Sequence, residues 1–147
     1  MVPTLEYPGP VELCEYVYRR ILKGQYDPSN QAMPVDILAF RPSSSDANGI
    51  SVVRKKYTSM PSDALVGVDP AKYHLAELPV TQFVELGLTV MEAKRDNCIG
   101  HACVVELNTT SYNDKDKKKK ADLKEKMRLL ALAAGKSMIF LPVVTDQ

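Results

Sequence analysis

Apolar and polar positions along the chain change period several times, and each change marks an element. From Val11 to Lys23 the residues Cys14, Val17, Tyr18 and Ile21 recur at helical spacing. Glu12 and Glu15 precede Arg19, Arg20 and Lys23, the order that complements a helix dipole, and Gly24 supplies a stop. This predicts an N-terminal helix. Tyr16-Val17-Tyr18 has strong strand propensity, so a strand is the competing reading. Asp36–Arg41 and Ile50–Arg54 read as strands around a turn-rich loop ending in Asn48-Gly49. A short helix is expected near Asp63–Val66 and a strand over Tyr73–Leu78. Val80, Phe83 and Val84 suit one face of a two-turn helix closed by Gly87. Leu88–Met91 and His101–Leu107 read as strands. Asp114–Ala134 carries the clearest stripe: Leu123, Met127, Leu130, Ala131 and Ala134. Ser111 and Asp114 have capping-box spacing, Gly135 ends the helix, and Ser137–Leu141 closes as a strand.

Strands and helices mix without regular alternation. The expected fold is therefore a single α+β domain over residues 11–147, after an irregular Pro- and Gly-rich lead-in at residues 1–10. Its sheet is expected to be mixed and mostly antiparallel, packed by the N-terminal helix and a long C-terminal helix.

Composition narrows the function classes. In 147 residues, 19 Lys and Arg oppose 18 Asp and Glu, a net charge of +1, which argues against a whole-molecule basic field. Locally the balance differs. Residues 114–128 hold 8 basic and 4 acidic side chains, a net of +4. Lys117, Lys118, Lys119 and Lys120 at its centre suit an acidic partner, either a protein face or nucleic acid, against the plainer reading of a solvated helix face. No apolar run of membrane-spanning length and no signal-peptide pattern occurs. The three cysteines are odd in number and irregularly spaced, so a reducing, cytoplasmic setting is expected.

Three further clusters carry candidate chemistry. Arg41, Ser43, Ser44, Asp46 and Arg54 surround one loop and suit an anion, against the plainer reading of ordinary turn chemistry. Cys98, His101 and Cys103 have a zinc-like composition but not a usual knuckle spacing. A fourth ligand would have to come from Cys14 or His74, so no metal or other cofactor is expected. Finally, Arg20, Ser51 and Glu106 would fall on an opening, a second and a late strand if Tyr16–Ile21 were extended. That arrangement is similar to ADP-ribosyltransferases, although the aromatic-Gly-Thr opening and a Glu-x-Glu pair are missing.

The ordered segments Tyr18-Arg19-Arg20-Ile21, Ala39–Asp46, Gly49–Arg54, Ala76-Glu77-Leu78, Leu86–Val90 and Gly100-His101-Ala102 resemble a family of small bacterial proteins with no agreed catalytic site. Such proteins are similar to ancillary components of bacterial defence loci, among them the small accessory protein beside the type III-E CRISPR effector. The resemblance spans roughly residues 16–142. It implies a non-enzymatic role in antiviral defence through binding another protein, and it assigns no catalytic residue. An ADP-ribosyltransferase-like enzyme and a nucleic-acid-binding module using the lysine helix are the alternatives.

Overall fold

A six-stranded antiparallel sheet in the order β4-β5-β2-β1-β3-β6 organises the chain. The computed structural model describes residues 11–93, 95 and 98–140. The expected lead-in at residues 1–10 and the predicted strand end at Leu141 lie outside these. The strands are β1 (Tyr16–Leu22), β2 (Ile50–Arg54), β3 (Tyr73–Pro79), β4 (Val90–Glu92), β5 (His101–Val104) and β6 (Met138–Phe140). The helices are α1 (Val80–Val84), α2 (Thr109–Tyr112) and α3 (Lys117–Gly135), so the α+β class and the long C-terminal helix are both present.

Two predicted elements are corrected. The N-terminal helix over Val11–Lys23 is instead strand β1. Its apolar residues satisfy both periods, and the tertiary partner decides between them. Tyr16–Leu22 pairs with β3 along its whole length, from Tyr16 opposite Pro79 to Leu22 opposite Tyr73. Val17 and Ile21 then face one core cluster and Tyr18 the other, as a period of two requires. The predicted strand Asp36–Arg41 is a 3-10 turn over Ile37–Phe40, capped by the Asp36 carboxylate on the Leu38 N–H. The loop that follows is therefore not a hairpin connection.

Other boundaries shift slightly. β5 stops at Val104, three residues before the predicted end. The cap of α3 is Asp116, which accepts from the N–H groups of Lys118 and Lys119, while Asn108 caps the separate α2. Capping serves backbone donors with no partner inside the helix. The predicted stripe of α3, from Leu123 to Ala134, is buried against one face of the sheet with Val17, Ile21, Val52, Leu78 and Val104.

The opposite face is thinly covered. Its smaller cluster joins Tyr18, Val53 and Leu75 to Ala64 and Leu65 from the 3-10 turn Pro61–Leu65. The sheet is also narrowly joined at its centre. β1 and β2 pair only at Val17 opposite Arg54 and Tyr18 opposite Val53. Beyond that point the two strands part, leaving β4-β5-β2 and β1-β3-β6 as two halves around a cleft.

Candidate functional site

Where β1 leaves β2, the Ser51 carbonyl has no β1 partner and, like the Ala39 carbonyl of the turn over Ile37–Phe40, needs a donor. Arg19 supplies both. Its Nε donates to the Ala39 carbonyl at 2.9 Å and its Nη1 to the Ser51 carbonyl at 2.8 Å, so the guanidinium bridges the gap between the strands. It also lies over the Phe40 ring, 5.9 Å from the centroid. Burial pushes its pKa down to about 10, which still leaves it charged at neutral pH. Arg20, next along β1, has the opposite side-chain direction and shares the thinly covered face with Tyr18. It donates to the carbonyls of Ala64 at 2.7 Å and Val66 at 3.0 Å. These bonds use part of its fork and leave further N–H donors.

Ser51 on β2 and His101 on β5 meet on this face. His101 pairs with Val53 in the ladder, two residues along from Ser51. The His101 Nδ1 lies 2.7 Å from the Ala93 carbonyl oxygen, and its Nε2 lies 2.9 Å from the Ser51 hydroxyl. A carbonyl can only accept, so Nδ1 carries the proton. Nε2 then offers its lone pair, and the Ser51 hydroxyl donates to it. Burial lowers the His101 pKa; the bond to the Ala93 carbonyl opposes it next in size, the charges of Arg95 and Arg20 add to the lowering, and Asp46 opposes it least. The imidazole is thus neutral near pH 7. A hydroxyl, a neutral imidazole and a fixed acceptor behind it form the arrangement of nucleophile, base and orienting group.

The cleft around this pair has a volume of about 570 Å³. Among the described residues, four arginines, Arg19, Arg20, Arg41 and Arg95, line it against a single carboxylate, Asp46. Asp46 is committed to its own turn, accepting from the Ser43 N–H at 2.7 Å and the Ser43 hydroxyl at 2.9 Å. An anion entering the cleft therefore meets an excess of positive charge with low-dielectric walls.

The predicted site residues are divided. Arg41, Ser43 and Asp46 border the cleft, whereas Ser44 is exposed outside it. Arg54 is a correction. It is buried in an ion pair, donating Nε and Nη2 to Glu15 at 2.8 and 2.7 Å and Nη1 to Glu92 at 3.3 Å, so it cannot serve the loop as an anion ligand. Of the transferase-like set, Arg20 and Ser51 both line the cleft. Glu106 does not: it accepts from the Thr89 N–H and hydroxyl at 2.7 and 2.8 Å. His101 stands beside Ser51 instead.

Lys117, Lys118 and Lys119 are exposed at the start of α3, and Lys120 lies over the Tyr112 ring. None of them reaches the cleft. Among the described residues, no group of three or more His, Cys, Asp or Glu side chains is placed to hold a metal ion. Cys103 is buried, and His101 is engaged by Ser51 and Ala93. No described helix is long and apolar enough to cross a membrane.

The sequence put His101 forward only as a candidate metal ligand, and neither Arg19 nor Arg95 as a site residue. The Gly100-His101 step into an apolar strand was the available signal, but its partner lies 50 residues away. Comparison with known proteins finds no matching family model, no matching curated protein and no matching solved structure.

Proposed function

We propose that the chain is an enzyme that binds a phosphate-bridged dinucleotide of the NAD type in the cleft and transfers its ADP-ribosyl group. The observation that supports this reading is the convergence of Arg20, Ser51 and His101 on one face beside the parting of β1 from β2. It meets the condition attached to the transferase resemblance, an extended Tyr16–Ile21, with His101 in place of the carboxylate. In this reading Arg20, Arg41 and Arg95 hold the diphosphate. The bond between ribose C1′ and the nicotinamide nitrogen breaks, and nicotinamide leaves as a neutral molecule with the bonding electron pair. A water or acceptor hydroxyl forms the new bond to C1′, and its proton passes to Nε2 of His101 as the Ser51 hydroxyl gives way.

The accessory role rests on the bacterial resemblance, on the polarised lysine helix and on the lack of a catalytic constellation in the sequence. The hydroxyl–imidazole pair supplies one, so the enzyme reading is carried forward.

The test is incubation of the full chain with NAD, following free nicotinamide and binding by calorimetry. NAD binding by the unaltered chain, with nicotinamide release that disappears in His101→Ala while NAD still binds, supports the reading. Absence of both in the unaltered chain overturns it. One observation favours a second reading: the Ser51–His101–Ala93 relay also suits a serine hydrolase. Covalent labelling of Ser51 by a fluorophosphonate, with no NAD binding, would select that reading.

A further inference from the structure

The charges of α3 take no part in the cleft, yet the helix sorts them. Lys117, Lys120, Lys124 and Arg128 lie at i, i+3, i+7 and i+11, which sets them in one stripe along a flank of the helix. At 1.5 Å per residue the stripe runs for about 16 Å. Nearby carboxylates keep off it. Asp114 and Asp116 precede the helix and serve backbone donors: Asp114 accepts from the Asp116 N–H at 2.8 Å, and Asp116 from the N–H groups of Lys118 and Lys119 at 3.0 and 3.3 Å. Asp122 and Glu125 are turned from the stripe by roughly 150° and 100°, at about 100° per residue. Glu125 pairs with Arg128 at the surface, where such a pair is weak. Lys117 and Lys124 are exposed, and Lys120 lies over the Tyr112 ring. Among the described residues, none of these three lysines is in an ion pair.

The fold gives no reason for this cost. Four successive lysines in the first turn oppose the helix dipole, and the Asp116 cap offsets only part of that. Residues 114–128 carry +4 in a chain of +1, so the attraction for an anion is confined to this surface.

The surface is also polar throughout. The apolar stripe of α3 is buried, and among the described residues no exposed large apolar side chain belongs to α2 or α3. A lipid surface would take an apolar helix face as well as cations, and a protein partner an apolar contact core. Neither is offered. A phosphodiester backbone needs only a row of cations. Tyr112 lies under Lys120, so splayed bases find no stacking platform and a duplex suits the surface better than a single strand.

We infer that Lys117, Lys120, Lys124 and Arg128 bind the phosphate backbone of a nucleic-acid duplex without reading its sequence. The inference is independent of the dinucleotide reading, because no residue of α3 lines the cleft.

The test titrates a labelled DNA duplex of about 20 base pairs with the full chain between about 50 and 200 mM salt. Four contacts give a plot of log K against log salt with a slope of about −3 to −4. Lys117→Gln/Lys120→Gln/Lys124→Gln flattens that slope by about 1 per lysine and lowers affinity at the lower salt about tenfold or more. Lys23→Gln/Lys72→Gln/Lys136→Gln removes the same charge from exposed positions off the stripe and keeps the slope. Circular dichroism checks that both variants are folded. No binding at the lower salt, a salt-independent affinity, or an equal loss in both triple variants overturns the inference. Binding to phosphatidylserine vesicles without binding to the duplex overturns it as well.

Discussion

His101 is held at both ring nitrogens, and that constraint makes its protonation state an experimental handle. Nε2 can take a proton only while the ring is neutral, so turnover should fall as pH drops below the ordinary histidine value, with a midpoint under 6.5. A pH profile of nicotinamide release checks this. His101→Ala should lower turnover on the order of 10²- to 10⁴-fold, the usual range for a lost acid–base step, and Ser51→Ala, which removes only the hydroxyl held on Nε2, should lower it less. Stability carries the same signature. Burial lowers the pKa of His101 and of His74, so the unfolded chain binds protons that the folded chain refuses. Folding free energy should therefore be full above pH 6.5 and decline as pH falls through that region, measurable by urea melts at pH 7.5 and 5.5. At Gly49 the limit is steric. Its φ is +114°, and an added Cβ would meet the Val104 carbonyl oxygen at 2.2 Å. Gly49→Ala should cost roughly 2–4 kcal/mol in a denaturant melt. The Asn48-Gly49 turn signal was readable in the sequence, but the close approach of β5 to this glycine was not.

The pairing of β1 decides the site at the scale of elements. Seven residues of β1 pair with β3, yet only two pair with β2, and Arg19 fills the gap that results. A lysine offers no planar fork and cannot reproduce both bonds. Arg19→Lys should therefore lower NAD turnover while circular dichroism remains that of a folded chain. Just before the strands part, Arg54 anchors β2 to Glu15 and Glu92. Removing this cation leaves two partly or fully buried carboxylates without it, so Arg54→Met should cost about 3–5 kcal/mol, read from the shift of a urea midpoint. Burial raises the Glu15 pKa, but the Arg54 hydrogen bonds, the Glu12 N–H and the charges of Arg54 and Lys56 together outweigh that and lower it overall. Its contribution should thus be present above pH 4.5 and vanish as pH falls below it. Charge order misled the reading of this segment. Glu12, Glu15, Arg19, Arg20 and Lys23 mimic a helix dipole pattern, whereas Glu15, Arg19 and Arg20 each serve a distant residue.

Across the whole molecule, the two sides of the sheet do different work. α3 seals one side with its apolar stripe and contributes no residue to the cleft. Replacing Lys117, Lys118, Lys119 and Lys120 by Gln should accordingly leave NAD affinity and turnover unchanged within about twofold, since simple screening limits the reach of exposed charges. The sequence by itself determined the α+β class, the strands β2 and β3, the long helix and its buried stripe. Those features follow from periodicity within a short window, which local spacing specifies. It also put Arg20 and Ser51 forward as a conditional pair. Only the tertiary structure decided that β1 is a strand, because its spacing satisfies both periods and β3 supplied the missing partner. It alone decided that His101, not Glu106, joins Ser51, because strand register is a non-local property set by which faces must be buried. The parting of β1 from β2 is of the same kind. No residue in either strand announces it, and it arises from how two halves of one sheet meet.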